Sequence, residues 1–246
     1  MNTHDHTPVP DSTPASGMKV LKLVSVLLDY PRPELWTFAD ELREAAADPV
    51  LLTPRQRVAL TGFIDALLAL DPMDAEERWL ALFDRGRAMS LLLFEHIHGE
   101  SRDRGQAMVD LVETYRNNGF EIGVRQLPDY LPLVLEYLST RPREEIADWL
   151  KHVGHILELL AARALERESP YATLFETLVV IAHGKVDLSV MRQRVASESR
   201  DDTPEAIDRV WEEEAVRFGP EAPSEDCAPA TRLPTGAQRF ESKGLQ

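Results

Sequence analysis

Leu127-Pro128-Asp129-Tyr130-Leu131-Pro132-Leu133-Val134-Leu135-Glu136-Tyr137 reads as a turn followed at once by a helix. Leu131, Val134, Leu135 and Leu138 recur at the spacing of one helical face. Pro132 falls in the first turn, where its missing N–H is tolerated. Asp129 stands where a carboxylate caps that helix.

The same period returns along most of the chain from Met18 onward. Leu35, Phe38, Ala39 and Leu42 follow it, as do Leu60, Phe63, Ile64 and Leu67, and Met108, Leu111, Val112 and Tyr115. The longest stripe is Ile146, Trp149, Leu150, Val153, Ile156, Leu157 and Leu160. Thr53-Pro54, Ser169-Pro170 and Thr203-Pro204 each put a capping hydroxyl before a proline at the first helical position. Pro31 and Pro33 end the first helix near Tyr30. No alternating strand pattern of useful length and no solenoid period is present. The expected fold class is all-α, with one domain of eight to ten helices over residues 18–197.

The ends differ in composition. Residues 1–17 are polar and carry Pro8, Pro10 and Pro14, which predicts a disordered tail. Between Asp201 and Asp226 ten acids face two bases, over half of the chain's net charge of −15. Residues 198–218 are expected to form an acidic helical segment, and residues 219–246 a second disordered tail.

Charge limits the partners. A chain of 246 residues with net charge −15 lacks the basic face that phosphate binding needs, so nucleic acid is disfavoured. An anionic membrane surface is disfavoured equally, and a basic partner is the natural complement. No apolar stretch approaches the roughly 20 residues of a membrane helix. The N-terminus lacks the basic start and apolar run of a secretory signal. Cys227 is the single cysteine, so no intrachain disulfide and no cysteine-based zinc or iron–sulfur site forms. A cytoplasmic protein is expected.

The stretch Phe94-Glu95-His96-Ile97-His98-Gly99-Glu100-Ser101-Arg102-Asp103-Arg104-Gly105-Gln106-Ala107 is the densest in charge. Ser101 is placed to cap the helix that follows, and Gly105 would let another backbone approach closely. Arg102 and Arg104 have Glu100 and Asp103 beside them as ion-pair partners, worth little each at a surface. The segment reads equally as a capped helix start and as a binding surface. Trp79, Leu82 and Phe83 share a helical face, which is either core or the lining of a groove.

Catalytic patterns are absent. There is no phosphate-cradling Gly-rich loop, no Gly-x-Ser-x-Gly elbow and no zincin pair of histidines. Glu95 and His98 form one Glu-x-x-His step, where di-iron bundles use two steps and two further glutamates. His152 and His155 lie off the apolar stripe of their helix and read as solvated. A helical metal-binding protein or metalloenzyme built on Glu95, His98, His152 and His155 is the alternative. The leading expectation is a binding module, not an enzyme, with no cofactor of its own.

Several of these motifs, in this order, resemble the NarJ family, the assembly chaperones of the molybdenum-containing respiratory nitrate reductase, within the wider TorD-like group. The resemblance covers most of residues 18–184. It implies a helical chaperone that binds the apo catalytic subunit, allows the molybdenum cofactor to be inserted and restrains early membrane docking. In the wider family an aromatic-x-x-Leu-Phe helix and a Pro-Asp-aromatic turn line a groove for a leader-like peptide. Carried over, this implies contact with a basic N-terminal client peptide through Trp79, Phe83, Glu95, His98, Glu100, Arg102, Asp103, Arg104, Asp129, Tyr130 and Glu136. Asp129, Glu136, Glu95 and Asp103 would form its acidic rim.

Overall fold

Prolines and short polar caps divide the chain into helices, and a computed structural model shows where each division falls. It describes residues 17–47, 52–98, 103–123 and 126–217. Both expected tails lie outside the described residues, apart from Gly17, and so do Cys227, Glu100, Ser101, Arg102 and the side chain of His98.

The described residues are helical and contain no strand. The helices are α1 (Gly17–Leu28), α2 (Glu34–Thr37), α3 (Ala39–Ala47), α4 (Pro54–Leu68), α5 (Pro72–Phe83), α6 (Leu93–His98) and α7 (Asp103–Asn117). They continue as α8 (Leu131–Leu138), α9 (Arg143–His152), α10 (Gly154–Glu166), α11 (Ala172–His183), α12 (Ser189–Val195) and α13 (Pro204–Arg217). Leu92 and Tyr130 form an isolated antiparallel bridge.

Among the described residues twelve helices precede residue 198, where eight to ten were expected, partly because two stripes that read as continuous are broken. Phe38, at φ −102 and ψ 30, separates α2 from α3 and turns its ring outward, 52% exposed. Val153, at φ −96 and ψ 4, separates α9 from α10. A Cβ on Gly154 would stand 2.2 Å from His183 Nε2. The break therefore falls where the end of α11 closes on bare backbone.

The core is built on α10 against α11, flanked by α9 and α12, with α1 lying on α8 and α3 on α4. Leu157, Leu160, Leu174, Phe175 and Leu178 are fully buried between them. Each such side chain contributes about 1.5–3 kcal/mol by leaving water.

Local caps fix several starts. Thr53 Oγ1 accepts the Gln56 N–H while Gln56 Oε1 accepts the Thr53 N–H, a reciprocal box on α4. Thr203 Oγ1 accepts the Ala206 N–H at α13. Asp71 caps α5 through the Met73 N–H, a start the sequence reading passed over. Ser169 stands two residues early: its Oγ accepts the Tyr171 N–H, and the N-cap of α11 is Tyr171, which offers no side-chain bond.

Between α10 and α11, Glu168 sits in the left-handed region at φ 52. That conformation costs an L-residue with a Cβ about 1–2 kcal/mol, and glycine much less. Glu168→Gly is expected to raise stability by about 1 kcal/mol in urea unfolding. A loss of stability instead would mean that the Glu168 side chain holds the turn.

The acids before α13 are structural. Arg163 reaches Glu198 from Nε at 2.8 Å and Nη2 at 3.1 Å, and its Nη1 donates to the Ala88 carbonyl at 2.6 Å. Arg167 Nη2 donates to Asp201 Oδ1 at 2.8 Å. The compact unit accordingly continues past residue 197 to Ile207. Asp208 onward forms a second unit, in which the described residues are the rest of α13.

Candidate functional site

Three side-chain links join α1 and the residue after it to α8 and its N-cap. Lys22 Nζ pairs with Glu136, Ser25 Oγ donates to the Pro132 carbonyl at 2.7 Å, and Tyr130 OH donates to Asp29 Oδ1 at 2.9 Å. Numbers rise on one side as they fall on the other, so the two helices run antiparallel. Burial, with the Asp29 carboxylate beside it, pushes the Tyr130 hydroxyl far above its ordinary pKa and keeps it a donor.

Trp79 of α5 arrives at the same place. Its Nε1–H donates at 2.9 Å to the carbonyl of Leu28, the last residue of α1 and one of the acceptors a helix end leaves open. Tyr30 meets the Trp79 ring edge-on, with centroids 5.4 Å apart. The aromatic line runs on through Phe83, 5.4 Å from Trp79, to Tyr171, 5.1 Å from Phe83. The fold thus brings Trp79 and Tyr130 together at residues 28–30. Phe83 is core, only 6% exposed.

Asp129 requires a correction. Its residue is 0% exposed, so it forms no part of an exposed rim. It does not cap α8, whose N-cap Tyr130 makes no side-chain bond. Its Oδ2 accepts the Phe94 N–H at 3.1 Å, in the first turn of α6. The reason is the short backbone bridge: Leu93 N–H to the Asp129 carbonyl at 3.0 Å, and Leu131 N–H to the Leu91 carbonyl at 2.8 Å. Those bonds turn the carboxylate toward the start of α6 instead of along its own helix. Arg104 Nη2 lies 3.9 Å from Oδ2, and Asp129 Oδ1 and Arg104 Nε are buried without a hydrogen-bond partner. Burial raises the Asp129 pKa above the ordinary carboxylate value, against the lowering pull of the Phe94 N–H and Arg104.

Two other expected rim acids have internal partners. Glu136 holds Lys22, and Glu95 Oε1 lies 3.5 Å from Arg104 Nη1. Asp103 is exposed at the start of α7. Gly105 admits no close neighbour, since a Cβ there would meet nothing within 4 Å among the described residues.

The histidines separate. His152 and His155 are exposed, and the His152 Nδ1–H donates to the Asp148 carbonyl at 2.6 Å. Among the described residues no group of three or more His, Cys, Asp and Glu could hold a metal ion. His96, which no motif singled out, donates from Nε2 to the Ser90 carbonyl at 2.8 Å. Burial holds its pKa below the ordinary value, although the Ser90 bond opposes the shift. Lys22, Ser25 and Asp29 were also missed, because their partners lie more than 100 residues away in sequence.

No helix among the described residues is long and apolar enough to cross a membrane. Residues 51–177 match the model of the nitrate reductase delta subunit family. The chain is 50% identical over 198 residues to the nitrate reductase molybdenum cofactor assembly chaperone NarJ of Escherichia coli K12, covering 80% of this chain and 84% of that protein. It is 45% identical over 201 residues to the "Probable nitrate reductase molybdenum cofactor assembly chaperone NarW" of the same strain, covering 82% and 84%. A relative named in the same terms in Bacillus subtilis is 31% identical over 158 residues, covering 63% of this chain and 84% of its own.

Proposed function

Since this chain belongs to the nitrate reductase delta subunit family, we propose that it is the assembly chaperone of a nitrate reductase, acting on the apo catalytic subunit. The observation that carries this reading is 50% identity over 84% of a relative with that role in its name. The chaperone works in the cytoplasm, turns over no substrate, and keeps the subunit open for the molybdenum cofactor before membrane docking.

The client's basic, amphipathic N-terminal peptide lays its apolar side near Trp79 and Tyr130, where α5 and α8 meet the end of α1. Its basic groups exchange for Lys22 on Glu136 and for Arg104 on Glu95. Lys22 and Glu136 are 48% and 42% exposed, and such a pair is worth only about 0–1 kcal/mol, so exchanging this one is cheap. Asp103, Glu100, Arg102 and His98 border the same region in sequence and belong to the proposed surface. Asp129 acts from behind the surface by fixing α6 against the start of α8, and Phe83 by supporting Trp79.

Calorimetric titration with a synthetic peptide of the client's N-terminus tests this. Trp79→Ala should weaken binding at least tenfold, about 1.4 kcal/mol, beyond its effect on folding. Raising salt should slow association and leave dissociation nearly unchanged, since rim charges are screened within about 8 Å at physiological salt. Purified chaperone should capture the apo catalytic subunit and lose it when that N-terminus is deleted. Equal capture of cofactor-loaded and apo subunit would contradict the role.

A further inference from the structure

A hollow with a volume of about 440 Å³ lies between α4, α5 and the α10–α11 turn. Its size falls within the roughly 300–1,000 Å³ of sites that take a small ligand or a few side chains. Phe63, Leu67, Leu82 and Tyr171 give it an apolar lining. Four arginines also line it. Arg167 and Arg200 are committed to the protein, Arg167 to Asp201 at 2.8 Å and Arg200 to Asp202 at 2.6 Å. The Arg78 and Arg85 side chains are exposed and make no hydrogen bond or ion pair among the described residues.

Arg78 stands on α5 and Arg85 two residues beyond its end, and both border the hollow with Ala81 and Leu82 between them in sequence. Glu168 and Asp202 line the hollow too, but Asp202 is taken by Arg200, so Arg78 and Arg85 against Glu168 leave a small local excess of positive charge on a chain of net charge −15. A basic peptide would be repelled here.

We propose that this hollow is a docking site for an acidic partner segment: two apolar side chains filling it, flanked by carboxylates that reach Arg78 and Arg85. Guanidinium and carboxylate match as paired donors and acceptors, and the apolar lining supplies the water-shielded contact between them. The occupant is opposite in charge to the basic peptide of the groove, so this site stands or falls independently of that reading.

The test uses the full chain and the probe acetyl-Glu-Leu-Phe-Glu-amide, with acetyl-Lys-Leu-Phe-Lys-amide and acetyl-Glu-Ala-Ala-Glu-amide as controls. The acidic apolar peptide should bind one per chain, and both controls about tenfold more weakly or worse. Arg78→Gln combined with Arg85→Gln should weaken the acidic peptide about tenfold and remove most of its salt dependence. Ala66→Trp, at an exposed position on the wall, should block binding with the melting temperature unchanged. Absence of binding at millimolar peptide, equal binding of either control, or affinity untouched in both variants would overturn the proposal. Displacement of the peptide by inorganic phosphate, together with equal binding of the alanine control, would assign the arginines to free anions and overturn it too.

Discussion

Asp129→Ala is expected to destabilise the protein by about 2–3 kcal/mol. The change leaves the Phe94 N–H without its acceptor in a buried place and opens a void where the carboxylate stood. Asp129→Asn keeps an amide oxygen for that N–H and removes a charge that burial disfavours. Its stability at neutral pH should stay within about 1 kcal/mol of wild type. The pH dependence separates a buried carboxylate from an ordinary ion pair. Because the folded-state pKa of Asp129 is raised, the folded protein holds the proton more tightly than the unfolded chain. This group therefore adds stability as pH falls through the raised pKa toward the ordinary value, and that addition is lost as pH rises. Wild type should gain on Asp129→Asn between neutral pH and the ordinary carboxylate range in urea unfolding. A gain for the asparagine variant over that window would mean that Arg104 outweighs burial. Asp129→Asn should leave client-peptide affinity nearly intact, because the carboxylate is not on the surface.

Asp201→Ala should cost about 2 kcal/mol. Asp201 Oδ2 accepts the Ala88 N–H at 2.6 Å while Oδ1 accepts from Arg167, whose side chain is only 8% exposed. Removing the carboxylate leaves Arg167 with Asp202 at 3.6 Å as its remaining ion pair. The figure is set below that of a fully buried pair because the Asp201 side chain is 33% exposed. A second substitution makes the test internal. A Cβ on Gly86 would stand 2.6 Å from Asp201 Cγ, so Gly86→Ala should displace the same carboxylate. The two changes should be strongly non-additive, the second adding little once the first is made. Additive losses would show that Gly86 and Asp201 act on separate features.

The site was legible only in part. Trp79 and Tyr130 stand out in the sequence as aromatics beside charge, and the fold brings them together. Asp129 was legible as a cap but not as a cap on another helix, because capping rules look along one segment and the backbone bridge between Leu92 and Tyr130 joins two segments distant in sequence. The hollow bordered by Arg78 and Arg85 was invisible, since its walls come from segments up to a hundred or more residues apart.

By itself the sequence determined the helical class, most apolar faces and the starts at Thr53 and Thr203, because a 3.6-residue period and a side-chain cap are properties of neighbours a few residues apart. Tertiary structure decided where the stripes break, at Phe38 and Val153, and which acids face solvent. A broken helix and a buried carboxylate are stable only when a partner from elsewhere fills the gap or takes the hydrogen bond. Here those partners are His183 against Gly154, Phe94 for Asp129, and Arg163 and Arg167 for Glu198 and Asp201. No local pattern encodes such pairs, since each forms only once packing has brought distant helices together.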